Sequence, residues 1–508
     1  MTTIPNILQQ IFKGALLIFL GTLVGKGLEF CSRIIIGRVL GPAEFGVFNM
    51  GYTVISIGSS LSLLGLSQGV AHFIPYCNVD NRKINKENIS VLIIFSFLIV
   101  LTSSLIISII LFFLSDFIST KFFHNITLSN FLKVFIWFLP FLCLVQLASA
   151  IFRGLKKPKY KVISEDFTKN FISFLLLIIF YIFFKLRLRE VALTYIMGSF
   201  LAFFLGLIFI YKSIPLNLNE SRNFVIFKKM LIYSLPLAFS TILVRFQSQI
   251  PIIFLSYFSI AKQVGLYSAS VLISQVLSLG LLSINFMLMP IFSELYVSQK
   301  FDELKKIYDI LTKILIAVFF PISLLLIVYS SVVLKILFGN LYLQASTALK
   351  ILLLGFIFNV YCGPVGLLTL AIGQSKKYFT YDLIRFFSIS LLGFFLIPHY
   401  GLIGAALSVT ISLIIWNIIA LTYIYKTFKL HTFKKENLLF IFISIFLFSL
   451  TFFGLKIFLA KFFIMKIILC IGIYIFFSIF LLKKILEKDE IGNFMILKLK
   501  QKIGRYNI

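Results

Sequence analysis

Three charged residues stand within the stretch Val24-Gly25-Lys26-Gly27-Leu28-Glu29-Phe30-Cys31-Ser32-Arg33, in the middle of an apolar run that extends from Ala15 to Val39. The run is long enough to cross a bilayer. A charge at bilayer depth costs about 2.5 to 3.5 kcal/mol on insertion scales, so it normally faces a protein interior or a water-filled cavity. We therefore expect the rest of the chain to be a scaffold that forms such a cavity.

The composition of the chain is that of a membrane protein. Its 508 residues are 60% hydrophobic and only 13% charged, with a mean hydropathy of +1.05, whereas soluble domains are about one-quarter charged. The net charge of +29 comes from short basic clusters between apolar runs, which is the pattern that orients a chain in a membrane. We expect no nucleic-acid partner, and no cleaved signal peptide because residues 1–10 have no basic region before a cleavage site.

The cysteines and histidines give no sign of a metal or redox site. Five cysteines and four histidines are scattered along the chain and form no pair with metal-like or redox-like spacing. We expect neither a metal nor a cofactor.

Apolar segments of at least about 17 residues can each cross the bilayer as a tilted helix. The sequence predicts an all-α polytopic protein with about fourteen transmembrane helices. These run near Ala15–Val39, Phe45–Ile74, Ile89–Leu114, Phe131–Phe152, Phe167–Phe184, Val191–Tyr211, Leu231–Phe258, Leu266–Phe292, Ile310–Leu334, Ala348–Ile372, Phe379–Ile397, Leu402–Tyr425, Leu438–Leu459 and Phe462–Leu482.

The basic residues are distributed unequally between alternate loops. The loops that follow the even-numbered spans, with the C-terminal tail, carry more than three times as many basic residues as the other set. Loops rich in Lys and Arg lie on the cytoplasmic side of a membrane. Because the basic set includes the C-terminal tail and the number of spans is even, both termini are predicted to be cytoplasmic in a multi-pass protein of the cell membrane. The opposite, outward set carries Arg38, Lys121, Lys185, Arg187, Arg189, Lys262, Lys335 and Lys461.

The predicted loops are too short to fold as a catalytic domain. The longest outward loop runs from Ser115 to Asn130, and the first outward loop has Glu44 as its single acidic residue. Acid–base or metal chemistry on an outward substrate would need paired carboxylates. We therefore predict that the protein is not an enzyme.

An internal repeat is indicated when the chain is aligned with itself. One constant shift aligns Gly46 with Gly265, and it brings Gly154 near Gly373, each followed by two lysines. The matches predict two homologous six-helix lobes. We expect lobes at residues 1–219 and 220–430, with residues 431–508 forming two additional helices and a basic tail.

The same shift aligns Lys26 with Arg245, which lies midway along the seventh span without an acidic partner in that span. Both lobes would then place a cation at mid-membrane. Two interpretations of Lys26 stay open. Glu29 at i+3 and Arg33 at i+4 from Glu29 can neutralise it locally on one helical face, or the surplus cations can bind an anion.

Two further acidic residues lie near the cytoplasmic ends of spans. Asp166 with Lys169, and Asp382 with Arg385, have i,i+3 spacing, which suits either satisfied ion pairs or proton relays. Glu29, Asp166 and Asp382 are therefore the candidates for ion or proton coupling.

Several short motifs carry a family resemblance. They are residues 38–48 (Arg38 to Phe48, with Gly41 and Gly46), 265–267, 290–296, 337–342 and 397–406. In their order and spacing the chain resembles the polysaccharide-transporter branch of the MATE-like MOP flippase superfamily, whose members include O-antigen-type flippases and the lipid II flippase. We expect Gly41 and Gly46 to have a structural role, because they let the backbone turn between packed helices.

The resemblance implies two six-helix lobes around a central cavity that opens alternately to either side. It implies a flippase for a polyprenyl-diphosphate-linked oligosaccharide, used in cell-surface polysaccharide assembly, with membrane lipids and other glycan-assembly membrane proteins as partners. In such members the cavity is cationic, and Lys26, Arg33 and Arg245 are the positions that fit. The C-terminal pair of spans resembles the fourteen-helix members.

Two other functions are considered. An ion-coupled exporter of cationic small molecules would share the fold, but its cavity is expected to be acidic, whereas the candidates here are mostly basic. A membrane glycosyltransferase or polymerase would need the paired acidic motif that is missing from the loops. The sequence also contains no phosphate-binding loop, so direct use of ATP is not expected.

Overall fold

The computed structural model describes residues 4–77, 86–214 and 224–430, with a few positions between 432 and 472. The described elements are all helical. The α-helices are α1 Ile4–Leu63, α2 Leu66–Cys77, α3 Lys86–Phe117, α4 Ile126–Phe135, α5 Phe138–Gly154, α6 Pro158–Lys161, α7 Lys169–Phe183, α8 Leu188–Ser213, α9 Phe224–Phe258, α10 Ala261–Val297, α11 Phe301–Val328, α12 Ser330–Phe338, α13 Ser346–Tyr361, α14 Val365–Ala371 and α15 Ser375–Phe428. Short π-helical segments lie at Ile118–Phe122 and Val162–Thr168, and a 3₁₀ segment lies at Asn340–Ala345.

Helix α1 is two helices folded into a hairpin. A straight helix of its 60 residues would be about 90 Å long, three times the thickness of the hydrocarbon core. The Arg33 guanidinium nevertheless lies 4.6 Å from the centre of the Tyr52 ring, although these positions would be about 28 Å apart along a straight helix. The chain reverses at Gly41, whose φ of 78° is readily adopted by glycine. The first arm of α1 corresponds to the first predicted span, and the second predicted span, Phe45–Ile74, is divided between the second arm of α1 and helix α2, with a bend of 42° between them.

Helix α15 is folded back in the same way at Gly401 (φ 49°, ψ −122°). The Tyr378 and Trp416 rings lie 5.9 Å apart. Closer to the turn, a Cβ added at Gly404 would overlap the carbonyl oxygen of Leu396. The two arms of α15 correspond to the predicted spans Phe379–Ile397 and Leu402–Tyr425.

The described helices confirm a multi-pass membrane protein. Seven of them are long and apolar enough to cross a membrane, or up to nine if each of two bent helix pairs counts as one span. Large apolar side chains are exposed on the helices, for example Phe113 at 78% and Phe239 at 76%, which is typical of a lipid-facing surface. The last two predicted spans lie almost entirely outside the described residues, so the total of about fourteen stays a prediction.

The chain divides into two compact units. Unit 1 comprises Met1–Leu272, Leu334–Ala345 and Phe386–Ser408, and unit 2 comprises Ile273–Val333, Ser346–Arg385 and Val409–Ile508. The core of unit 1 contains an aromatic cluster in which Phe48 contacts Phe135 and Tyr195, with ring centroids 6.0 and 5.4 Å apart. In the core of unit 2, buried Tyr308 donates a hydrogen bond of 2.7 Å to the carbonyl oxygen of Cys362. The lobe boundaries at residues 219 and 430 stay a prediction.

Within unit 1 a glycine crossing supports the internal repeat. A Cβ added at Gly46 would overlap the carbonyl oxygen of Ala261, and one added at Gly265 would overlap the carbonyl oxygen of Pro42. The shift that aligns Gly46 with Gly265 also aligns Pro42 with Ala261. The contact is therefore reciprocal, as in a two-fold interface, and it confirms that these glycines are structural.

The second sequence match, between Gly154 and Gly373, is not reproduced residue for residue by the backbone. Lys156 and Gly373 are the residues with positive φ, 56° and 78°. The hydrogen bonds that flank them agree, since Lys157 N donates to Phe152 O and Gln374 N donates to Thr369 O. The backbone equivalent of Gly373 is thus Lys156 rather than Gly154, and the alignment of the two repeats needs a short gap before this turn.

Candidate functional site

The first arm of α1 carries a three-member charge cluster. Lys26 Nζ lies 2.7 Å from Glu29 Oε2, and Arg33 Nη2 lies 3.0 Å from Glu29 Oε1. The Lys26 side chain is 50% exposed, whereas Glu29 and Arg33 are 20% and 16% exposed. Both ion pairs that the spacing predicts on this helical face are present. Because one carboxylate serves two cations, the choice between local neutralisation and anion binding stays open.

A small polar cavity adjoins the cluster. Its polar lining residues are Glu29, Ser32, Tyr52, Lys169, Asn170, Ser173 and Tyr195. The enclosed space of about 20 Å³ can hold about one water molecule. Arg33 also stacks on Tyr52, which is a favourable cation–π contact.

Close helix packing brings these residues together. A Cβ added at Gly25 would overlap the backbone carbonyl oxygen of Asp166, so the absence of a side chain lets α1 lie directly against the π-helical segment. Lys169 and Asn170 begin α7 immediately after that segment. The close contact at Gly25 thereby places Glu29, one turn farther along α1, opposite the start of α7.

The cavity environment has a surplus of positive charge. The charged residues that line the cavity itself, Glu29 and Lys169, sum to zero. Lys26 and Arg33, which are ion-paired with Glu29, bring the formal charge of this group of four residues to +2 (three minus one). Arg33 Nε is buried and has no hydrogen-bond partner among the described residues, and the Tyr195 hydroxyl is buried next to the Arg33 side chain. The arrangement is suited to an anion or a polar oxygen at this position.

Asp166 is paired, but with a different lysine from the one expected. Its Oδ2 atom accepts hydrogen bonds from Lys161 Nζ at 2.6 Å and from Thr22 Oγ1 at 3.1 Å. The expected i,i+3 pair with Lys169 is wrong, because the π-helical turn places residues five apart on one face. Lys169 lines the Glu29 cavity instead.

Asp382 lies in unit 2 and has a different environment. Its Oδ1 atom accepts a hydrogen bond of 3.0 Å from Trp416 Nε1 across the α15 hairpin. Among the described residues, no basic nitrogen lies within 4.0 Å of its carboxylate. The close ion pair with Arg385 is therefore not formed, and the carboxylate accepts a hydrogen bond from a neutral donor instead.

Arg245 is an exposed residue on α9. No carboxylate of the described residues lies within 4.0 Å of its guanidinium. One turn farther along α9, Gln249 Oε1 accepts a hydrogen bond of 2.8 Å from Thr53 Oγ1, which joins α9 to the second arm of α1. The sharing of one cavity by Lys26 and Arg245 stays a prediction.

Sequence reasoning missed three members of the site: Tyr52, Lys169 as a neighbour of Glu29, and Tyr195. Tyr52 contacts Arg33 because α1 folds back on itself, and Lys169 lies near Glu29 because of the π-helical turn that precedes it. A search for polar residues within apolar spans would have identified Lys169 and Asn170, although not their partner.

The chain matches a family model and two curated proteins. Residues 11–296, more than half of the chain, match the model described as polysaccharide biosynthesis protein. The chain is 31% identical over 221 residues to the capsular polysaccharide biosynthesis protein CapF of Staphylococcus aureus, a match that covers 43% of this chain and only about half (55%) of that relative. It is 24% identical to a putative O-antigen transporter of Shigella flexneri, over 75% of this chain and 89% of that protein.

Solved structures agree with the fold. The inward-closed lipid II flippase MurJ superposes with a TM-score of 0.67 at 17% identity, covering 93% of this chain and all (100%) of that one. An inward-facing multidrug resistance MATE transporter of the MOP superfamily also gives a TM-score of 0.67, at 13% identity, over 82% of this chain and 98% of that one. At these identities the likeness concerns the fold. With the match over residues 11–296, the chain belongs to the polysaccharide biosynthesis protein family and has the fold of the MOP superfamily.

Proposed function

We propose that the protein is a flippase that moves a polyprenyl-diphosphate-linked oligosaccharide from the cytoplasmic to the outer leaflet, by alternating access, for cell-surface polysaccharide assembly. The observation that carries the proposal is the group of three cations around one carboxylate in the membrane part of α1 and α7. The family, and relatives named for capsular polysaccharide and O-antigen, support the substrate class.

The substrate needs compensation for its diphosphate. An anion crossing about 30 Å of hydrocarbon loses its hydration, and Lys and Arg recover part of that loss by binding phosphate oxygens. Because the enclosed space holds about one water molecule, a diphosphate does not fit inside it. The half-exposed Lys26 makes the direct contact, while Arg33 and Lys169 contribute positive potential from behind.

Arg245 is proposed as the second phosphate contact. It occupies the repeat position of Lys26, is exposed, and lacks an acidic partner among the described residues. When Lys26 and Arg245, on different helices, bind one diphosphate, each cation neutralises part of its negative charge. The lipid tail stays in the bilayer while the head group crosses. Because this movement breaks and forms no covalent bond, the protein acts as a transporter rather than an enzyme.

Of the three carboxylates proposed for ion or proton coupling, Asp382 is the one most free to change its charge. Glu29 and Asp166 are each held by a basic nitrogen at 2.7 and 2.6 Å, respectively, and losing their charge would leave those cations uncompensated. Asp382 contacts the neutral Trp416 indole. We therefore assign coupling to Asp382 first.

A cationic-drug exporter is the alternative, and the charge of the site argues against it. A site for a cation needs net negative charge, whereas the group of four charged residues at the Glu29 cavity carries a net +2 (three cations, one carboxylate). Increased drug sensitivity of a deletion strain with normal surface glycan would favour the exporter.

Surface-glycan display in a deletion strain tests the proposal. We expect Lys26→Gln, Lys169→Gln and Arg245→Gln each to lower the display of surface glycan at normal protein level. The matched control is Lys212→Gln, which removes the same charge from an exposed position and should retain wild-type display. Full display by both Lys26→Ala and Arg245→Ala variants at normal expression would contradict the role of the cations.

A further inference from the structure

A second cationic cavity lies in unit 1, at the end where the α1 hairpin turns. It has a volume of about 510 Å³ and is lined by the Gly41 turn of α1, by α4 and by the connection between α7 and α8. This volume lies within the usual range for small-molecule sites. Along the first arm of α1, Val39 of its lining is about 20 Å from Lys26, so the two sites are separate.

The lining of this cavity is strongly basic. Lys185, Arg187 and Arg189 all contribute to it, and Glu44 is the acidic lining residue. Lys185 and Arg187 lie in the connection, whose backbone is extended at Phe184 and Arg187, and Arg189 lies in the first turn of α8. The formal charge of the lining residues is +2 (three minus one), and Glu190, which follows Arg189 in the chain, is not among them.

The three cations are not neutralised by nearby acidic residues. Among the described residues, no carboxylate lies within 4.0 Å of any of them. Glu190 instead accepts a hydrogen bond from the backbone nitrogen of Arg187 at 3.1 Å, and Asp116 on α3 is bound by Lys133 and Ser129. The positive potential is therefore available to a ligand.

An exposed apolar end of α7 adjoins the cations. Phe183 and Phe184 are 73% and 62% exposed, and Tyr181 is 55% exposed. Aromatic residues beside basic residues are typical of the membrane interface, where the rings contact acyl chains and the cations contact headgroups. A ligand that has a phosphate and a lipid tail fits both features.

The hydroxyl and amide groups of the cavity suit the same ligand. Thr127 and Asn130 on α4 line it opposite the basic connection. The Asn130 amide can donate a hydrogen bond to a phosphate or glycerol oxygen, whereas the Thr127 hydroxyl donates to Asn125 Oδ1 and offers an acceptor. All three lining connections belong to the predicted outward set, although Lys and Arg are generally sparse there. A basic cluster on that side opposes the orientation signal, which indicates a functional reason for it.

We propose that this cavity, formed by Lys185, Arg187 and Arg189 with Glu44, Thr127 and Asn130, is a binding site for the phosphate of a membrane lipid on the outward side. Two lipids share this chemistry: an anionic phospholipid and the carrier diphosphate after translocation. Two parts of this proposal rest on the proposed function: that the site lies on the outward side, and that the carrier diphosphate is one of its possible ligands. The binding of a lipid phosphate in this cavity does not depend on it. A phospholipid there would anchor the outer end of unit 1 to the leaflet.

Lipid titration of the purified full-length chain in detergent micelles, followed by native mass spectrometry, tests the site. The probes are phosphatidylglycerol, phosphatidylcholine and a sugar-free polyprenyl diphosphate. We expect the triple variant Lys185→Gln, Arg187→Gln, Arg189→Gln to bind phosphatidylglycerol about tenfold or more weakly than wild type. The control triple Lys212→Gln, Lys228→Gln, Lys229→Gln removes equal charge from exposed positions and should change affinity by less than about twofold.

A second variant keeps the test independent of folding defects. Glu44→Gln removes the one lining carboxylate and should strengthen phosphatidylglycerol binding, while phosphatidylcholine binding stays unchanged. Competition by polyprenyl diphosphate would identify the carrier as the ligand, and lack of competition would identify the phospholipid. Unchanged affinity in the pocket triple, equal losses in both triples, or no gain in Glu44→Gln would overturn the proposal, whether or not the protein transports glycan.

Discussion

The first arm of α1 and its repeat equivalent in α9 hold a cation at the same position in different environments. Lys26 is bound by Glu29, which also binds Arg33. In α9, Arg245 is accompanied by Ser248 and Ile252 at the positions that correspond to Glu29 and Arg33. Among the described residues, Arg245 has no carboxylate within 4.0 Å. One copy is thus a packed charge cluster and the other is an exposed single cation.

The glycine crossing between the same two repeats is symmetric, unlike the charges. Gly46 and Gly265 make reciprocal close contacts with the backbone of the other repeat. The two repeats therefore share the position that sets helix packing, whereas they differ at the positions that set charge. The structural role of the glycines and the proposed substrate-binding role of the cations can therefore be separated by variants.

The largest effect on stability is expected when the charge cluster loses its carboxylate. Glu29→Gln leaves the largely buried Arg33 without its counter-charge, and breaking a buried ion pair costs about 3 to 5 kcal/mol. We expect a loss near the lower limit, because Lys26 is half exposed. Unfolding of the purified protein in detergent measures it, with the repeat-equivalent Ser248→Ala expected to cost less than about 0.5 kcal/mol. Equal losses of stability in the two variants would contradict the difference in environment between the Glu29 and Ser248 positions.

The next effect concerns the symmetric crossing. Gly46→Ala and Gly265→Ala each place a methyl group against a backbone carbonyl oxygen, and overpacking costs about 1 to 3 kcal/mol. Because the contact is reciprocal, the two losses should be similar. Gly27→Ala is the control, since nothing lies within 4 Å of an added Cβ there, and helix propensity predicts a gain of up to about 1 kcal/mol. A loss at only one crossing glycine would contradict the reciprocal contact.

A smaller effect is expected for the hydrogen bond that joins the two repeats. Thr53→Val removes the hydroxyl whose single proton is shared between Gln249 Oε1 and Asn49 O, and it should cost about 1 kcal/mol of the free energy of unfolding. A double-mutant cycle with Gln249→Leu should show coupling, because the paired variant no longer leaves an unsatisfied amide. Additive losses would mean that the two side chains do not interact.

The smallest effect on stability is expected at Arg245. Arg245→Gln should change the free energy of unfolding by less than about 0.5 kcal/mol, because its side chain is exposed. Ser248→Glu would supply an i,i+3 partner and stabilise α9 by about 0.2 to 0.5 kcal/mol, while it weakens transport by neutralising the cation. Unchanged transport with Ser248→Glu would contradict a substrate-binding role for Arg245.

Local sequence rules predicted the parts of the site that lie on one helix. The i,i+3 and i,i+4 spacing of Lys26, Glu29 and Arg33 was sufficient for their contacts. The glycine motif likewise indicated the turn at Gly41 and the packing at Gly46. These features depend on helical geometry, which the sequence pattern expresses directly.

The contacts that the sequence did not predict depend on altered helical register or on distant packing. Asp166 pairs with Lys161 because the π-helical turn replaces the i,i+3 spacing with i,i+5. Asp382 bonds to Trp416 because α15 folds back on itself. Lys169 approaches Glu29 only because Gly25 permits close contact between α1 and the Asp166 backbone. None of these arrangements has a periodic signature in the sequence.

Transfer of a fluorescent polyprenyl-diphosphate oligosaccharide between the leaflets of proteoliposomes tests the central claim most directly. We expect the wild-type protein and Lys212→Gln to transfer the lipid at equal rates, and the double variant Lys26→Gln, Arg245→Gln to be at least about tenfold slower, which corresponds to about 1.4 kcal/mol. Transfer by the double variant at the wild-type rate, or no transfer by the wild-type protein, would contradict the account.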